Sequence, residues 1–143
     1  MTYPPFVCYG TEIEYRNHFE RVYCQQHIIT FDGISVRFRK NCFDHSFYES
    51  SKRNKIKDKF SDQRAKRIDW IKATLQDPKA ELYIGWDGIR KRYDKSHRVA
   101  VVVANYVVVI RVSGDKTAQF VTAYVADSVS TLDKIKKSPR WGF

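Results

Sequence analysis

Residues 98–124, RVAVVVANYVVVIRVSGDKTAQFVTAY, are the only long segment of this 143-residue chain in which β-branched apolar side chains dominate. Valine and isoleucine are restricted at the first side-chain torsion and favour strands. Two breaks, at Ala104-Asn105 and at Gly114-Asp115, divide the segment into three strands of ordinary length. The rest of the chain must therefore pack around an antiparallel sheet.

The third of these strands is predicted to carry hydroxyl groups on one face of the sheet. Side chains alternate between the two faces of a strand with a period of two residues. In the stretch FVTAYV, this period places Phe120, Thr122 and Tyr124 on the same face. We expect the hydroxyls of Thr122 and Tyr124 to lie side by side there.

The chain before residue 41 predicts one helix and one hairpin. Thr11 and Glu14 have the spacing of a capping box, in which each side chain bonds the backbone amide of the other residue, so a helix should follow to about residue 25. Residues 28–38 alternate apolar and polar side chains around Asp32-Gly33, which is typical of a tight hairpin. We interpret this hairpin as a small appendage.

A second helix is predicted from the N-cap Ser61 to Leu75. On a helical wheel, Arg64 lies within about 40° of the apolar stripe formed by Ile68, Ile71 and Leu75. A guanidinium on a buried stripe requires an anionic or polar partner, or a cleft that opens to a ligand. We expect the cleft, with Arg64 available to a phosphate.

The remaining elements complete an α+β fold. Short strands are predicted at residues 82–84 and 89–93, with a turn at 85–88, and a short helix at residues 130–137. Residues 1–143 are then one domain, in which N-terminal helices and a small hairpin precede an antiparallel meander of four to five strands. One helix should pack on one face of this sheet.

Basic charge is concentrated in the middle of the chain. The net charge is +10, and residues 51–98 contribute +8 through 15 basic and 7 acidic side chains. A domain this basic, with nine Tyr and nine Phe, is typical of nucleic-acid binding, although a lysine-rich solubilising surface has the same balance. The candidate phosphate contacts are Lys57, Arg67, Lys91 and Arg92.

Several classes of protein are disfavoured by the sequence. Three cysteines without the pattern of a secreted scaffold favour a reducing cytoplasm. The sequence has no signal peptide and no apolar run of membrane-spanning length, so we expect no membrane partner. Phosphate-loop, dinucleotide-binding and Gly-x-Ser-x-Gly patterns are absent, which argues against nucleotide hydrolysis and serine-hydrolase chemistry.

The residue types that remain suit cleavage of RNA without a metal ion. The 2′-hydroxyl attacks the adjacent phosphorus, so one group must take its proton and another must protonate the leaving 5′-oxygen. Histidine suits either role, while Arg, Lys and the hydroxyls of Thr and Tyr stabilise negative phosphoryl oxygens. Each candidate alone is more typical of a structural role, and only their combination favours catalysis. The candidates are His45, Arg64, Thr122, Tyr124 and Tyr93, together with Lys91.

Several segments of the chain resemble the phage-associated barnase, EndoU, colicin and RelE-like nuclease family. They are FDHSFYE around His45, KDKFSDQRAKRIDWI around Arg64, ELYIGWD, RVAVVVANYVVVI and FVTAYVAD. The resemblance covers residues 41–141, a nuclease core to which residues 1–40 would be an extension. It places His45, Arg64, Thr122 and Tyr124 on the family's active-site positions.

The resemblance also implies an activity and partners. Members of the family are metal-independent ribonucleases in which a helical part precedes a small antiparallel sheet. We therefore expect a phage- or mobile-element-borne toxin or effector that needs no cofactor. It would cleave tRNA, ribosomal RNA or messenger RNA and leave a 2′,3′-cyclic phosphate. An antitoxin or immunity protein could neutralise it.

Two alternatives stay open from the sequence. Cys24-x-x-His27 and Cys42-x-x-His45 have a spacing compatible with a structural zinc site, and His45 as a zinc ligand could not be a general base. The chain could also be a catalytically inert module on the same fold that binds nucleic acid or inhibits a nucleic-acid enzyme.

Overall fold

The computed structural model describes residues 3–49, 59–84, 86–87, 92–93, 98–126 and 128–140, with the backbone alone at 86–87, 92–93 and 98. The helices are α1 (Glu12–Phe19), α2 (Cys42–Phe47), α3 (Asp62–Ala65), α4 (Ile68–Leu75) and α5 (Val129–Lys136), and a π-helical segment, Glu20–Cys24, continues α1. The strands are β1 (Ile28–Ile29), β2 (Ser35–Arg37), β3 (Tyr48–Glu49), β4 (Lys59–Phe60), β5 (Glu81–Ile84), β6 (Trp86–Asp87), β7 (Arg92–Tyr93), β8 (Arg98–Val103), β9 (Tyr106–Gly114) and β10 (Thr117–Val125). The fold is mixed α and β, as predicted.

The main sheet has six strands in the order β1-β2-β10-β9-β8-β5, so the predicted size of four to five strands is wrong. Strands β8, β9 and β10 are consecutive antiparallel neighbours, and β5 pairs antiparallel with β8. Turns fall at the predicted breaks, where Ala104 and Lys116 adopt positive φ angles of 52° and 59°. The sheet is not a simple meander, because β2 joins β10 in parallel.

The hairpin of β1 and β2 belongs to this sheet and is not an appendage. Gly33 turns the chain with a φ of 90°, a conformation that glycine adopts without steric cost. Ile34, Val36 and Phe38 point inward and are buried, as their alternation predicts. Because Val36 pairs with Ala118, burial of its side chain in the main core holds β2 against β10.

Helices cover both faces of the main sheet, whereas the sequence predicted one helix on one face. Helices α1, α2 and α4 contribute to the main core on one face, where Phe19, Phe43 and Phe47 are almost fully buried. On the second face, Leu132 and Ile135 of α5 pack against a smaller cluster that includes Val107. No helix among the described residues is long and apolar enough to span a bilayer.

A chain of polar contacts joins the N-terminal segment to α1 and α4. The hydroxyl of Tyr9 lies 2.8 Å from Nδ1 of His18, whose Nε2 lies 2.7 Å from an oxygen of Asp69. The predicted capping box forms differently, since the Thr11 hydroxyl donates to the Glu14 carboxylate at 2.9 Å and does not bond the backbone. These contacts fix α1 over the core.

The predicted helix from Ser61 to Leu75 is broken into α3 and α4 by a turn at Lys66 and Arg67. The helical wheel treats residues 61–75 as one continuous helix. Because the helix is broken, the predicted position of Arg64 on the buried stripe is wrong. Arg64 is half-buried, while Ile68 of α4 is fully buried. The break lets α3 turn the Arg64 side chain toward the sheet edge.

Candidate active site

The candidate site lies along the side of β10 that faces away from β9. Strand β2 pairs with β10 only from Thr117 to Gln119, and helix α2 lies beside the next stretch of β10. The thiol of Cys42 donates to the carbonyl of Phe120 at 3.4 Å and anchors α2 there. The end of the short parallel pairing therefore creates the space that α2 and α3 occupy.

A β-bulge in β10 sets which side chains face the site. Phe120 pairs with Ile110 and Thr122 pairs with Val109, so Val121 is the extra residue. Phe120 therefore lies in the main core, and the prediction that it shares a face with Thr122 and Tyr124 is wrong. Thr122 and Tyr124 do share the second face, because they pair with Val109 and Val107 of the smaller cluster.

Arg64 is held by local helix structure beside Tyr124. Ser61, the N-cap of α3, accepts the Arg64 backbone N–H at 3.2 Å. The Nη1 of Arg64 donates to the Ser46 carbonyl of α2 at 3.3 Å, and its Cζ lies 5.9 Å from the centre of the Tyr124 ring. Among the described residues, no carboxylate forms a salt bridge with Arg64. Within the described part of the chain, the guanidinium is therefore positioned by neutral groups.

His45 lies on the exposed side of α2, one residue from the carbonyl that holds Arg64. Its neighbours Phe43 and Phe47 point into the main core and are 0% and 1% exposed. Asp44 forms a salt bridge of 2.8 Å with Arg16. His45 is thus an exposed residue on a helix whose opposite face, with Phe43 and Phe47, is buried.

Tyr106 is a site neighbour that the sequence analysis missed. Its side chain is buried at the start of β9, and burial raises its pKa while the positive charges of Arg67 and Arg64 oppose that shift. Both guanidinium groups therefore act on one buried hydroxyl. In the sequence, Tyr106 stands in an apolar strand and resembles any core tyrosine. Only the folded positions of Arg64 and Arg67 identify it as a neighbour of the site.

Arg67 belongs to an aromatic cluster rather than to the site. Its guanidinium lies 4.9 Å from the ring centre of Phe6 and 5.3 Å from that of Trp70, and its Nη1 donates to the Gln63 carbonyl. The Nε atom is buried and has no hydrogen-bond partner among the described residues. The structure thus places Arg67 against the N-terminal segment, and its described contacts do not include Tyr124.

Two further candidates, Arg92 and Tyr93, lie on a separate ribbon. Arg92 and Tyr93 form β7, which pairs with Asp87 and Trp86 of β6 outside the main sheet. The predicted turn at 85–88 thus contains β6, and the predicted strand at 89–93 is described only at its end. Lys57 and Lys91 lie outside the described residues.

The four residues of the possible zinc site do not assemble into a metal-binding group. Across residues 3–49, which include all of them, and the rest of the described chain, no cluster of three or more His, Cys, Asp or Glu could hold a metal ion. His27 Nδ1 lies 2.8 Å from the Ser35 hydroxyl, and Cys42 donates to a carbonyl. Burial raises the pKa of Cys24 to about 11, which disfavours the thiolate that zinc requires.

Comparison with known proteins gives no match to this chain among family models, curated proteins or solved structures. The resemblance to the nuclease family therefore stays a prediction. The site is therefore described by its own geometry. The Arg64 guanidinium lies near the Tyr124 ring, Thr122 is on the same strand face, and His45 is exposed on the adjoining helix α2.

Proposed function

We propose that this protein is an endoribonuclease that cleaves RNA by attack of a 2′-hydroxyl on the adjacent phosphorus. The observation that carries the proposal is the position of Arg64, which bridges α2, the helix of His45, and the Tyr124 ring on β10. An arginine between the helix of His45 and the strand of Tyr124 can bind a phosphate group, whose negative charge increases during the reaction.

Each group has a role in this reaction. Arg64 binds the phosphoryl oxygens, and Thr122 and Tyr124 donate hydrogen bonds to them from the strand face. His45 performs one of the two proton transfers, by taking the proton of the 2′-hydroxyl or by giving one to the leaving 5′-oxygen, and solvent water performs the other. Bond formation between the 2′-oxygen and phosphorus expels the 5′-oxygen and leaves a 2′,3′-cyclic phosphate. The nuclease resemblance supports the same assignment.

Cleavage of RNA in the presence of EDTA tests the proposal. Purified protein should fragment total RNA and leave 2′,3′-cyclic phosphate ends, and His45→Ala should abolish cleavage while the unfolding temperature stays unchanged. An oligonucleotide with the same sequence but 2′-deoxyribose is the control, and it should stay intact. Cleavage that requires an added metal ion, or fragmentation of the deoxy control, would contradict the mechanism.

A biological role as a toxin or effector follows from the resemblance and has its own test. Expression of the wild-type chain should slow the growth of a host cell, and expression of His45→Ala should not. Equal growth with both chains would argue against toxicity, even if the purified protein cleaves RNA.

The second candidate is an inert binding module, and the positively charged positions on the open part of the sheet favour it. Arg37 and Arg111 are both exposed, and they could retain nucleic acid without any chemical step. Salt-dependent RNA binding that yields no product, and that His45→Ala does not change, would select this candidate.

A further inference from the structure

A row of polar positions crosses four neighbouring strands of the main sheet. Arg98 of β8 pairs with Arg111 of β9, Arg111 pairs with Gln119 of β10, and Gln119 pairs with Arg37 of β2. Residues paired in this way lie side by side across the sheet. Three of the four positions are arginines, although the strands come from two distant parts of the chain, residues 35–37 and 98–125.

The described side chains of this row lie on the second face of the sheet. Their neighbours Val36, Ala118 and Ile110 are buried in the main core, so Arg37, Gln119 and Arg111 point the other way. Arg37 and Arg111 are exposed and Gln119 is half-buried. With strands about 4.8 Å apart, Arg37 and Arg111 are roughly 10 Å apart across the sheet.

Helix α5 leaves this part of the second face uncovered. Its apolar residues pack on the cluster of Tyr83, Val102 and Val107, which lies toward the other ends of these strands. Thr122 and Tyr124 are on the same face as the row, farther along β10, at roughly 3.3 Å per residue. The row and the candidate active site are therefore two parts of one continuous surface.

The row presents positive charge on an exposed part of the sheet, because Arg37 and Arg111 are both exposed there. Arg37 makes no salt bridge with a carboxylate in the described part of the chain. A ligand with several negative charges at regular spacing would complement the row.

We propose that the described side chains of this row, Arg37, Gln119 and Arg111, bind the phosphate backbone of single-stranded RNA and lead it to the site of Arg64 and Tyr124. An open sheet face accepts an extended strand whose bases are unstacked. A duplex keeps its bases paired and stacked, so it cannot lie along the face in this way. The inference rests on the proposed function, because it names the form of RNA that the same site receives.

Binding of an uncleavable RNA tests the row without requiring activity. The probe is a fluorescent 2′-O-methyl oligonucleotide, single-stranded or annealed to its complement, and anisotropy is measured over a series of salt concentrations. Arg37→Ala and Arg111→Ala should each reduce the slope of log K against log salt by about 0.7, and the double variant by about 1.4. Arg37→Lys keeps the charge and should keep the slope.

Arg21→Ala is the matched control, because it removes one exposed arginine from the π-helical segment and changes the net charge equally. Its binding should stay within about twofold of the wild type, since a long-range charge effect is weak at physiological salt. Circular dichroism confirms that each variant is folded.

The outcomes separate the row from the proposed function. If the row variants bind like Arg21→Ala, if the duplex binds more tightly than the single strand, or if the wild type does not bind, the row proposal is wrong. Cleavage by a wild type whose binding does not depend on the row would leave the ribonuclease proposal intact. Row-dependent binding by a protein that never cleaves RNA would reject the ribonuclease proposal alone.

Discussion

Among the residues that the structure describes, Arg64 has neutral partners only, so its substitutions are the most informative test of the site. A guanidinium that serves only to hold the fold is normally paired with a carboxylate when it is half-buried. Arg64 has instead the Ser46 carbonyl and the Tyr124 ring. Both partners orient the planar group and leave its charge available to a phosphate.

Arg64→Lys should keep the fold and lose most of the activity. A cation remains, so the free energy of unfolding should change by less than about 1 kcal/mol. The planar two-pronged contact with phosphate oxygens is lost, so kcat/KM for RNA cleavage should fall about 100-fold. Thermal unfolding and cleavage of an RNA oligonucleotide measure the two effects.

Arg67→Lys is the control for this substitution, because it makes the same change one helical turn away. It removes the stacking of Arg67 on Phe6 and Trp70, so it should lower stability more than activity. Arg64→Met gives the opposing test, since it should fold with equal or higher stability. An Arg64→Met chain that does not fold would make Arg64 a structural residue.

At the scale of elements, short helices and one bulge orient the site. Helix α3 has only four residues, so it depends on its cap, and α2 depends on the burial of Phe43 and Phe47. The bulge at Val121 turns Phe120 into the core and leaves Thr122 and Tyr124 on the second face. Each of these features is local, and together they bring α2, α3 and β10 to one edge of the sheet.

Ser61→Ala should displace Arg64 from its position in the candidate site. The Ser61 side chain is 4% exposed and accepts the Arg64 N–H, so its loss should reduce the free energy of unfolding by about 1 kcal/mol. Because α3 then frays where Arg64 is attached, RNA cleavage should fall as well. Chemical denaturation and cleavage are measured on the same variant.

Ser128→Ala provides a matched helix-cap control on the second face. Ser128 caps α5 by accepting the Thr131 N–H at 3.1 Å. Its removal should have a comparable stability cost of about 1 kcal/mol and leave cleavage unchanged. Equal losses of cleavage in the two variants would mean that overall stability, rather than the position of Arg64, controls activity.

The sequence predicted the local patterns and missed several long-range arrangements. Alternation identified the inward residues Ile34, Val36 and Phe38, but it could not show that β2 joins β10, because parallel pairing depends on residues about 80 positions apart. The wheel failed at Lys66 and Arg67, where no Gly or Pro marks the break. The bulge at Val121 has no sequence signal either, so the face of Phe120 was wrong while Thr122 and Tyr124 were placed together correctly.

At the scale of the whole molecule, the two faces of the sheet differ in character. The main core lies under α1, α2 and α4 and includes Phe19, which contacts four other phenylalanines and Tyr23. The second face is apolar beneath α5 and polar across the row of Arg37 and Arg111. The main core therefore lies on one side of the sheet and the polar row on the other, and the candidate site lies at the edge where α2 and α3 meet β10.

Buried and half-buried acidic groups, among them Cys24, Tyr3 and Tyr106, connect the fold to alkaline pH. Burial raises the pKa of Cys24 from 9.0 to about 11 and that of Tyr3 from 10.0 to about 12. Burial also raises the pKa of Tyr106 above its usual value of 10.0. In each case the native state disfavours the anion, so the native chain retains protons that the unfolded chain has already lost.

Stability should therefore fall as the pH rises. The contributions of these groups are fully present below pH 9, the usual pKa of a thiol here, and are lost as the pH passes through 9–11 for Cys24 and 10–12 for Tyr3. Urea unfolding midpoints at pH 8, 9, 10 and 11 measure the decline. Cys24→Ala should flatten its first part and Tyr3→Phe its second, whereas Cys8→Ala, which removes an exposed thiol, should leave the profile unchanged. A midpoint that is constant or rises between pH 8 and 11 would show that these groups ionise equally in the folded and unfolded chains, and that their burial is not maintained in solution.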